Sequence, residues 1–208
     1  MVELCATRLP QRMGIPANQI QVLTPTRKRG GGTAALNRAL QAAVNPPSPQ
    51  KKERPYGEFV FRLGDRVMQI RNNYDILWSD PLTGEADMGV FNGDIGVITA
   101  VDEGDAVLTV DFDGRIAQYS ADLLGELELA YAVTIHKAQG SEYRAVVLAV
   151  SDVPPTLLTR GVLYTAITRA RELLVLVGDD KAVETMVHNN KQARRYSGLR
   201  ARLASGEW

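Results

Sequence analysis

The stretch AVTIHKAQGSE, residues 132–142, decides the fold prediction for this chain of 208 residues. Residues 132–135 are rich in β-branched side chains, which is typical of a strand, and they lead into a polar turn that contains a glycine and a carboxylate. Apolar residues resume at 146–150, so the polar segment is expected to interrupt two buried strands. Ligands of parallel α/β sheets bind at strand ends, which makes this turn a candidate site.

A second segment, residues 160–171, has the spacing of an amphipathic helix and runs into a predicted strand at 173–179. Its apolar residues share one predicted face of the helix: Leu163, Ala166, Ile167 and Ala170. Tyr164, next to Leu163, is expected to join the core. Arg171 is explained by the favourable position of a cation near the end of a helix. For Arg169, a guanidinium beside a turn at a strand end suits phosphate.

These two segments resemble motifs V and VI of superfamily 1 helicases: residues 134–142 the former and residues 164–170 the latter. Within that superfamily the chain is most similar to the RecD/TraA branch, the exodeoxyribonuclease V alpha-subunit type. Residues 21–27, with Leu36 and Asn37 downstream, resemble the motif IV region of that branch, and residues 61–74 with 91–96 are a fourth match. Four matches in family order, from about residue 4 to residue 181, make the resemblance specific.

The pattern of apolar residues predicts an α/β chain interrupted by a β module. Residues 1–44 read as helix, strand and helix, the last of them at 33–44. The proline-rich segment 45–55 cannot continue that helix and is predicted to be a linker or exposed loop. Short alternating strands with glycine-containing turns, between residues 58 and 128, indicate a small closed β barrel.

The resemblance gives these segments a domain organisation. It implies an α/β, RecA-like (P-loop NTPase-type) domain 2A whose first part is residues 1–56 and whose second part, with the C-terminal tail, is residues 129–208. An SH3-like β barrel, 2B, is inserted at residues 57–128.

Composition is neutral about nucleic acid. Lys plus Arg and Asp plus Glu each total 24, so a nucleic-acid binder of this composition must concentrate its basic residues locally. A basic run between residues 189 and 202 is typical of a solvated helix face, with contact to DNA or a partner as the alternative: Lys191, Arg194, Arg195, Arg200 and Arg202. A single cysteine, Cys5, and the lack of a long apolar run predict a cytoplasmic protein that does not span a membrane.

The nucleotide-binding half of a motor is missing from the sequence. No Gly-x-x-x-x-Gly-Lys-Ser/Thr loop occurs, and residues 97–103, which imitate a Walker B strand, read better as a hairpin. We therefore expect ATP and Mg²⁺ to be bound mainly by an N-terminal RecA-like domain outside this chain. The chain alone is expected to be inactive as an ATPase, and no metal-binding residue is predicted in it.

The resemblance implies a nucleotide-facing group in the chain. Arg169 matches the motif VI arginine, the catalytic arginine finger, and Glu142 matches the motif V carboxylate on the ribose side. Gln139 and Gly140 belong to the same motif, with Gly140 allowing close approach of the backbone. Arg27 belongs to the motif IV region and is the fourth residue expected to bind nucleotide. The sequence departs from the family pattern at Arg29 and Gly30, so a functional role for Arg27 is only slightly favoured over an ordinary solvated loop.

The resemblance and the side-chain types also imply contacts to single-stranded DNA. In motif V the residues are Thr134, His136 and Lys137, and in the barrel they are Arg71, Asn73 and Tyr74, which offer charge, an amide and a stacking ring. The alternatives are that His136 is a packed histidine, that Lys137 is an ordinary surface lysine, and that the barrel residues form a polar turn in which the Tyr74 ring is a buried aromatic plug.

The parent protein is thus expected to be an ATP-dependent 5′→3′ DNA helicase or translocase of DNA repair and recombination. Its expected partners are single-stranded DNA, the missing RecA-like domain and, in a nuclease complex, RecB- and RecC-like subunits. Two alternatives stay open: a non-catalytic module that binds nucleic acid or a peptide, and the C-terminal part of a conjugative relaxase-helicase.

Overall fold

The N-terminal part of the chain forms helix, strand and helix, as the sequence predicts. The computed structural model describes residues 1–28, 30–102, 106–190 and 202–203, without the side chains of residues 106 and 107. A π-helical turn continues into α1, which Gly14 ends in a left-handed conformation with φ 63°. The elements are the turn Leu4–Arg8, α1 (Leu9–Met13), β1 (Ile20–Thr24) and α2 (Thr33–Val44).

The middle of the chain consists of short strands: β2 (Glu53–Tyr56), β3 (Phe59–Arg62), β4 (Arg66–Gln69), β5 (Asn73–Ser79), β6 (Ala86–Val90), β7 (Ile95–Val101), β8 (Ala106–Phe112), β9 (Arg115–Ser120) and β10 (Leu127–Leu129). The predicted loop 45–55 is wrong at its end, because β2 begins at Glu53 and pairs with β3. Pro55 is tolerated there since both strands of a two-stranded sheet are edge strands.

Strands β4 to β10 form one antiparallel sheet in the order β10-β4-β7-β8-β9-β5-β6. Among the described residues this order is linear, with β6 and β10 as the end strands of the sheet. Its interior holds fully buried side chains, including Phe112 and Tyr119, whose rings lie 6.2 Å apart. The Walker B imitation lies in β7, which pairs antiparallel with β8, and the turn residues 103–105 lie outside the described residues.

The C-terminal part returns to α/β structure: β11 (Ala132–Thr134), β12 (Tyr143–Val150), α3 (Arg160–Ile167), β13 (Ala170–Gly178) and α4 (Asp180–His188). Helix α3 buries Leu163 and Ala166, but Ile167 and Tyr164 are exposed, so the core prediction for these two is wrong. The helix ends before Arg171, which lies in β13 instead of a last helical turn. Most of the basic C-terminal run, residues 191–201, lies outside the described residues.

The first and last parts of the chain meet in one parallel sheet with the order β11-β1-β12-β13. Residues 145–150 of β12 are all buried, which is typical of a parallel strand covered on both faces. The sheet therefore contains the hydrophobic core of this α/β part, and the antiparallel sheet is inserted between α2 and β11. The described residues include no helix with the length and apolarity needed to cross a bilayer.

A buried carboxylate joins the inserted sheet to the α/β part. Asp65, in the turn before β4, accepts hydrogen bonds from Gln41 Nε2 (2.5 Å), Asn45 Nδ2 (2.7 Å), the Arg62 amide (2.7 Å) and Tyr131 Oη (2.8 Å). Burial raises the pKa of Asp65 even though these donors oppose the shift. The predicted domain boundary after residue 56 falls in the β2–β3 turn, and that after residue 128 falls inside β10.

Candidate functional site

The motif V connector, residues 135–142, runs the length of the parallel sheet. It leaves β11 at Thr134, which pairs with Thr24 at the carboxyl end of β1, and it enters β12 ahead of Ala145, which pairs with Ile20 at the amino end. Those two ends are four residues apart along β1, or roughly 13 Å. The connector therefore carries residues to two opposite edges of the sheet.

Backbone hydrogen bonds hold the connector in a compact turn. The amide of Ala138 donates to the carbonyl of Thr134 at 3.1 Å, and that of Ser141 donates to the carbonyl of Ala138 at 3.2 Å. Gly140 has φ +90°, which disfavours any side chain, and nothing lies within 4 Å of the place a Cβ would occupy. The backbone conformation, and not crowding within this chain, therefore explains the glycine at position 140. Gly140 and Gln139 are both exposed.

Arg169 lies at the amino edge of the sheet, between α3 and β13. Its Nε donates to the Thr165 carbonyl at 3.2 Å, Nη1 to the Ser141 carbonyl at 3.1 Å, and Nη2 to Thr168 Oγ1 at 3.1 Å. Its own carbonyl accepts from the Tyr143 amide at 2.8 Å. The half-buried guanidinium is therefore held in one orientation against motif V, and its remaining N–H groups are available to an anion.

Glu142 lies at the same edge and pairs with Arg171, whose Nε is 2.9 Å from Glu142 Oε2. Both side chains are more than half exposed, at 52% for Glu142 and 67% for Arg171. An exposed pair of this kind contributes little to stability, so a ligand could displace it at small cost. Arg171 is not merely solvated, as the helix prediction had it, because it is the partner of a predicted nucleotide-side residue.

At the carboxyl edge, two predicted cations share one carboxylate from the inserted sheet. Arg27 follows β1, and its Nη2 hydrogen-bonds Glu128 Oε1, while Lys137 Nζ lies 3.4 Å from Glu128 Oε2. Arg27 was predicted to bind nucleotide, and in the structure it lies beside Lys137, on the same carboxylate. Glu128 was missed because nothing in the alternating pattern of β10 distinguishes it. Arg29, where the family pattern departs, lies outside the described residues.

Thr134 and His136 occupy the same edge as Lys137. Thr134 Oγ1 accepts from the Lys137 amide at 3.3 Å, so this hydroxyl helps to shape the turn. His136 is exposed, and among the described residues its ring has no hydrogen-bond partner, so the packed-histidine alternative is wrong. An exposed ring and an exposed turn beside two cations form a surface that an extended polyanion could contact.

The barrel residues fall into two groups. Asn73 is committed to structure, because its Nδ2 donates to Glu126 Oε2 at 3.0 Å and its Oδ1 accepts from the Asp75 amide at 3.0 Å. Tyr74 is 65% exposed, so it is not an aromatic plug, and Arg71 is also exposed. The pattern did not reveal Phe91, whose ring lies 5.6 Å from that of Tyr74 at 73°, an edge-to-face pair on the surface.

Comparison with known families identifies both parts of the chain. Residues 36–112 match the SH3 domain of ATP-dependent RecD-like DNA helicases, and residues 129–177 match the C-terminal domain of UvrD-like helicases. The chain is similar to RecD-like DNA helicases. The predicted α/β fold with an SH3-like insertion is confirmed.

Two RecD-like relatives give the extent of the similarity. The ATP-dependent RecD2 DNA helicase of Deinococcus radiodurans is 36% identical over 175 residues, which cover 84% of this chain and 22% of the relative. The RecBCD enzyme subunit RecD of Mycobacterium tuberculosis is 38% identical over 179 residues, which cover 85% of this chain and 28% of the relative. The chain thus spans about a quarter of the length of these relatives.

Solved helicase structures share the RecD-like fold at low sequence identity. Bacteroides Pif1 bound to single-stranded DNA aligns with a TM-score of 0.51 and 21% identity, covering 90% of this chain and 45% of Pif1. Bacteroides Pif1 in complex with ADP-AlF3 and single-stranded DNA aligns with the same TM-score and identity, covering 97% of this chain and 50% of Pif1. This likeness supports the arrangement of a parallel α/β part with an inserted β module.

Proposed function

We propose that this chain is the C-terminal motor portion of an ATP-dependent 5′→3′ DNA helicase or translocase. The observation that carries the proposal is the hydrogen bond from Arg169 to Ser141, which fastens the candidate arginine finger to the connector that also holds His136. The chain is proposed to supply the finger and part of the single-strand track, while a preceding RecA-like domain supplies the phosphate-binding loop. Alone, the chain is proposed to be inactive as an ATPase.

On the nucleotide side, the proposed residues are those at the amino edge of the sheet. Arg169 has a fixed orientation and spare donors, which suits stabilisation of charge on a transferring phosphoryl group. Glu142, with Gln139 and Gly140 before it, is exposed beside this guanidinium and suits the ribose side. ATP and Mg²⁺ are proposed to be bound mainly by the preceding domain, because this chain contains no phosphate-binding loop.

On the DNA side, the proposed residues are those at the carboxyl edge and at the base of the β5–β6 hairpin. Thr134, His136 and Lys137 are proposed to meet the sugar-phosphate backbone, and Arg27 is proposed as a phosphate ligand of the same edge, since it lies with Lys137 on Glu128. Tyr74 offers a stacking face and Arg71 a charge, while Asn73 is proposed to act by shaping their turn.

The connector gives these two edges a mechanical link. Closure of the nucleotide cleft on Arg169 would pull on Ser141, and the compact turn would pass that displacement to His136 and Lys137. Segments that are held in place by contacts to a γ-phosphate are commonly released when that phosphate is lost. We infer that nucleotide state and grip on DNA are coupled through residues 135–142.

The proposed partners are single-stranded DNA and the preceding RecA-like domain. RecB- and RecC-like subunits are proposed as further partners because one relative is a RecBCD subunit, whereas an N-terminal relaxase in the parent would favour the conjugative alternative. A cytoplasmic location is proposed, supported by the one cysteine, Cys5, which is buried and free.

Binding of the purified chain to a fluorescent oligodeoxythymidylate, followed by anisotropy at low and moderate salt with duplex as competitor, tests the DNA side. Salt-sensitive binding that prefers single strands supports the proposal. The nucleotide side is tested in the intact parent, where Arg169→Ala should abolish DNA-stimulated ATP hydrolysis while ATP binding persists. Full ATPase activity in that variant would refute the arginine-finger role and favour a non-catalytic module.

A further inference from the structure

The outer half of the β5–β6 hairpin exposes large apolar side chains that the proposed motor does not use. Leu77 is 68% exposed, Met88 57% and Leu82, at the hairpin tip, 94%. Leu77 and Met88 are direct cross-strand partners, so their side chains lie together on the outer face of the hairpin. We call Leu77, Leu82 and Met88 with the residues between them the hairpin patch.

The hairpin patch is acidic as well as apolar. It carries Asp80, Glu85 and Asp87, with Asp75 just before it, and no lysine, arginine or histidine occurs anywhere between residues 72 and 114. Among the described residues none of these four carboxylates has a cationic partner. Hydrogen bonds from the Leu82 and Thr83 amides hold the pKa of Asp80 below its ordinary value.

The hairpin patch also has an open backbone edge. β6 is the last strand of its sheet and pairs only with β5 in the described part of the chain. The Met88 amide donates to the carboxylate of its neighbour Asp87 at 2.7 Å, so an added strand that used this N–H would displace that carboxylate. A strand at the end of a sheet, with no strand paired on its outer side, is a template for strand addition.

We propose that β6 accepts an added strand from a protein partner whose sequence alternates basic and apolar residues. Glu85 and Asp87 are two residues apart and so share one face of β6, whereas Ala86 and Met88 share the other. A strand laid beside β6 would set its lysines or arginines against the two carboxylates. Its apolar residues would cover Met88 and reach Leu77.

Charge excludes two other occupants of this edge. DNA phosphates would be repelled by the four carboxylates, and the nearby cation Arg115, whose guanidinium lies over the Trp78 ring, is already paired with Asp94 at 3.2 Å. A second copy of this chain would bring the same four carboxylates, so pairing of two β6 edges is disfavoured as well. The complementary occupant is a basic peptide segment of another protein.

The test uses a short fluorescein-labelled peptide of alternating lysine and valine, titrated with the 208-residue chain and followed by anisotropy. We expect saturable binding, no binding of the matched glutamate-valine peptide, and a loss of roughly tenfold or more in affinity for Asp87→Lys. Glu184→Lys, the same charge change on exposed α4, should leave the affinity unchanged. Equal affinity of wild type and Asp87→Lys would refute the proposal.

A second pair of variants tests the apolar contact without changing charge. Met88→Ser should weaken peptide binding severalfold, whereas Met13→Ser, which alters a methionine of similar exposure at the end of α1, should not. Methylation of every backbone amide of the peptide should also abolish binding, since strand addition needs those donors. Binding that survives this methylation would overturn strand addition at β6. Displacement of the peptide by oligodeoxythymidylate, with the same affinity in wild type and in Met88→Ser, would overturn it as well.

Discussion

Arg169 Nη1 donates to the carbonyl oxygen of Ser141 across 3.1 Å, although 28 residues separate them in the chain. The contact joins the end of α3 to the end of the motif V connector. Because the acceptor is a backbone carbonyl, any movement of the guanidinium is transmitted to the chain path and not only to a side chain. This makes the candidate finger and the candidate DNA-contacting turn parts of one unit.

Replacing Arg169 tests that unit. In the intact parent, Arg169→Ala should lower the ATP turnover rate by about 10³–10⁵-fold, because a finger stabilises charge that develops on the phosphoryl oxygens. Arg169→Lys should recover little of that rate, since an ammonium cannot bond Ser141 and an anion in the same fork geometry. Steady-state hydrolysis measured with saturating single strand checks both.

Arg144→Ala is the matched control for that experiment. Arg144, at the start of β12, pairs with Glu172 at 2.8 Å, near the same edge but outside the proposed site. Its removal should change turnover less than about twofold, in keeping with the small worth of an exposed ion pair. A large loss in Arg144→Ala would show that the edge as a whole, and not Arg169, determines the rate.

Glu128→Gln should strengthen binding to single-stranded DNA. The change removes the carboxylate that now neutralises Arg27 and Lys137, so both cations become available to phosphates. We expect severalfold tighter binding at low salt, a steeper dependence of affinity on salt, and no change for the control Glu184→Gln. Weaker binding in Glu128→Gln would mean that the carboxylate positions the two cations instead of competing for them.

Tyr74→Ala should weaken single-strand binding by about 1–3 kcal/mol, the worth of one stacked base. Tyr74→Phe should keep the affinity, because the ring and its edge-to-face contact with Phe91 remain. Tyr164→Ala is the control, since Tyr164 is exposed to a similar degree, 68% against 65%, on α3. Equal losses in the two alanine variants, measured by anisotropy, would exclude a specific stacking role for Tyr74.

Asp65→Asn should destabilise the junction by about 1–3 kcal/mol, because an amide cannot accept all the donors now aimed at the carboxylate. The pKa of Asp65 is raised on folding, so the native state binds more protons and the contribution of Asp65 to stability falls as the pH rises through that raised pKa. The difference in unfolding free energy between wild type and variant should therefore shrink over that range. Urea unfolding at several pH values measures it, and a widening difference would contradict burial as the cause of the shift.

The order of elements was accessible from the sequence because periodicity and punctuation are local. The predicted helix at 33–44 coincides with α2, and the fully apolar run in β12 is a buried parallel strand, as continuous burial on both faces requires. The expected loop failed at Glu53, where pairing with β3 overrode the signal of Pro55. The core prediction for Tyr164 failed because adjacent residues on a helix point in different directions, so Leu163 is buried while Tyr164 next to it is exposed, and packing decides which position faces the core.

The sequence by itself determined which chemistry the chain carries: the motif arginine, the glycine turn, and the acidic run without a cation between residues 72 and 114. Only the tertiary structure decided which of these groups meet. It put Arg27 with Lys137 on Glu128, Arg169 on Ser141, and four donors on Asp65. Residue types follow from local pattern, whereas such meetings depend on the register of strands far apart in the chain, which is set by packing of the whole core.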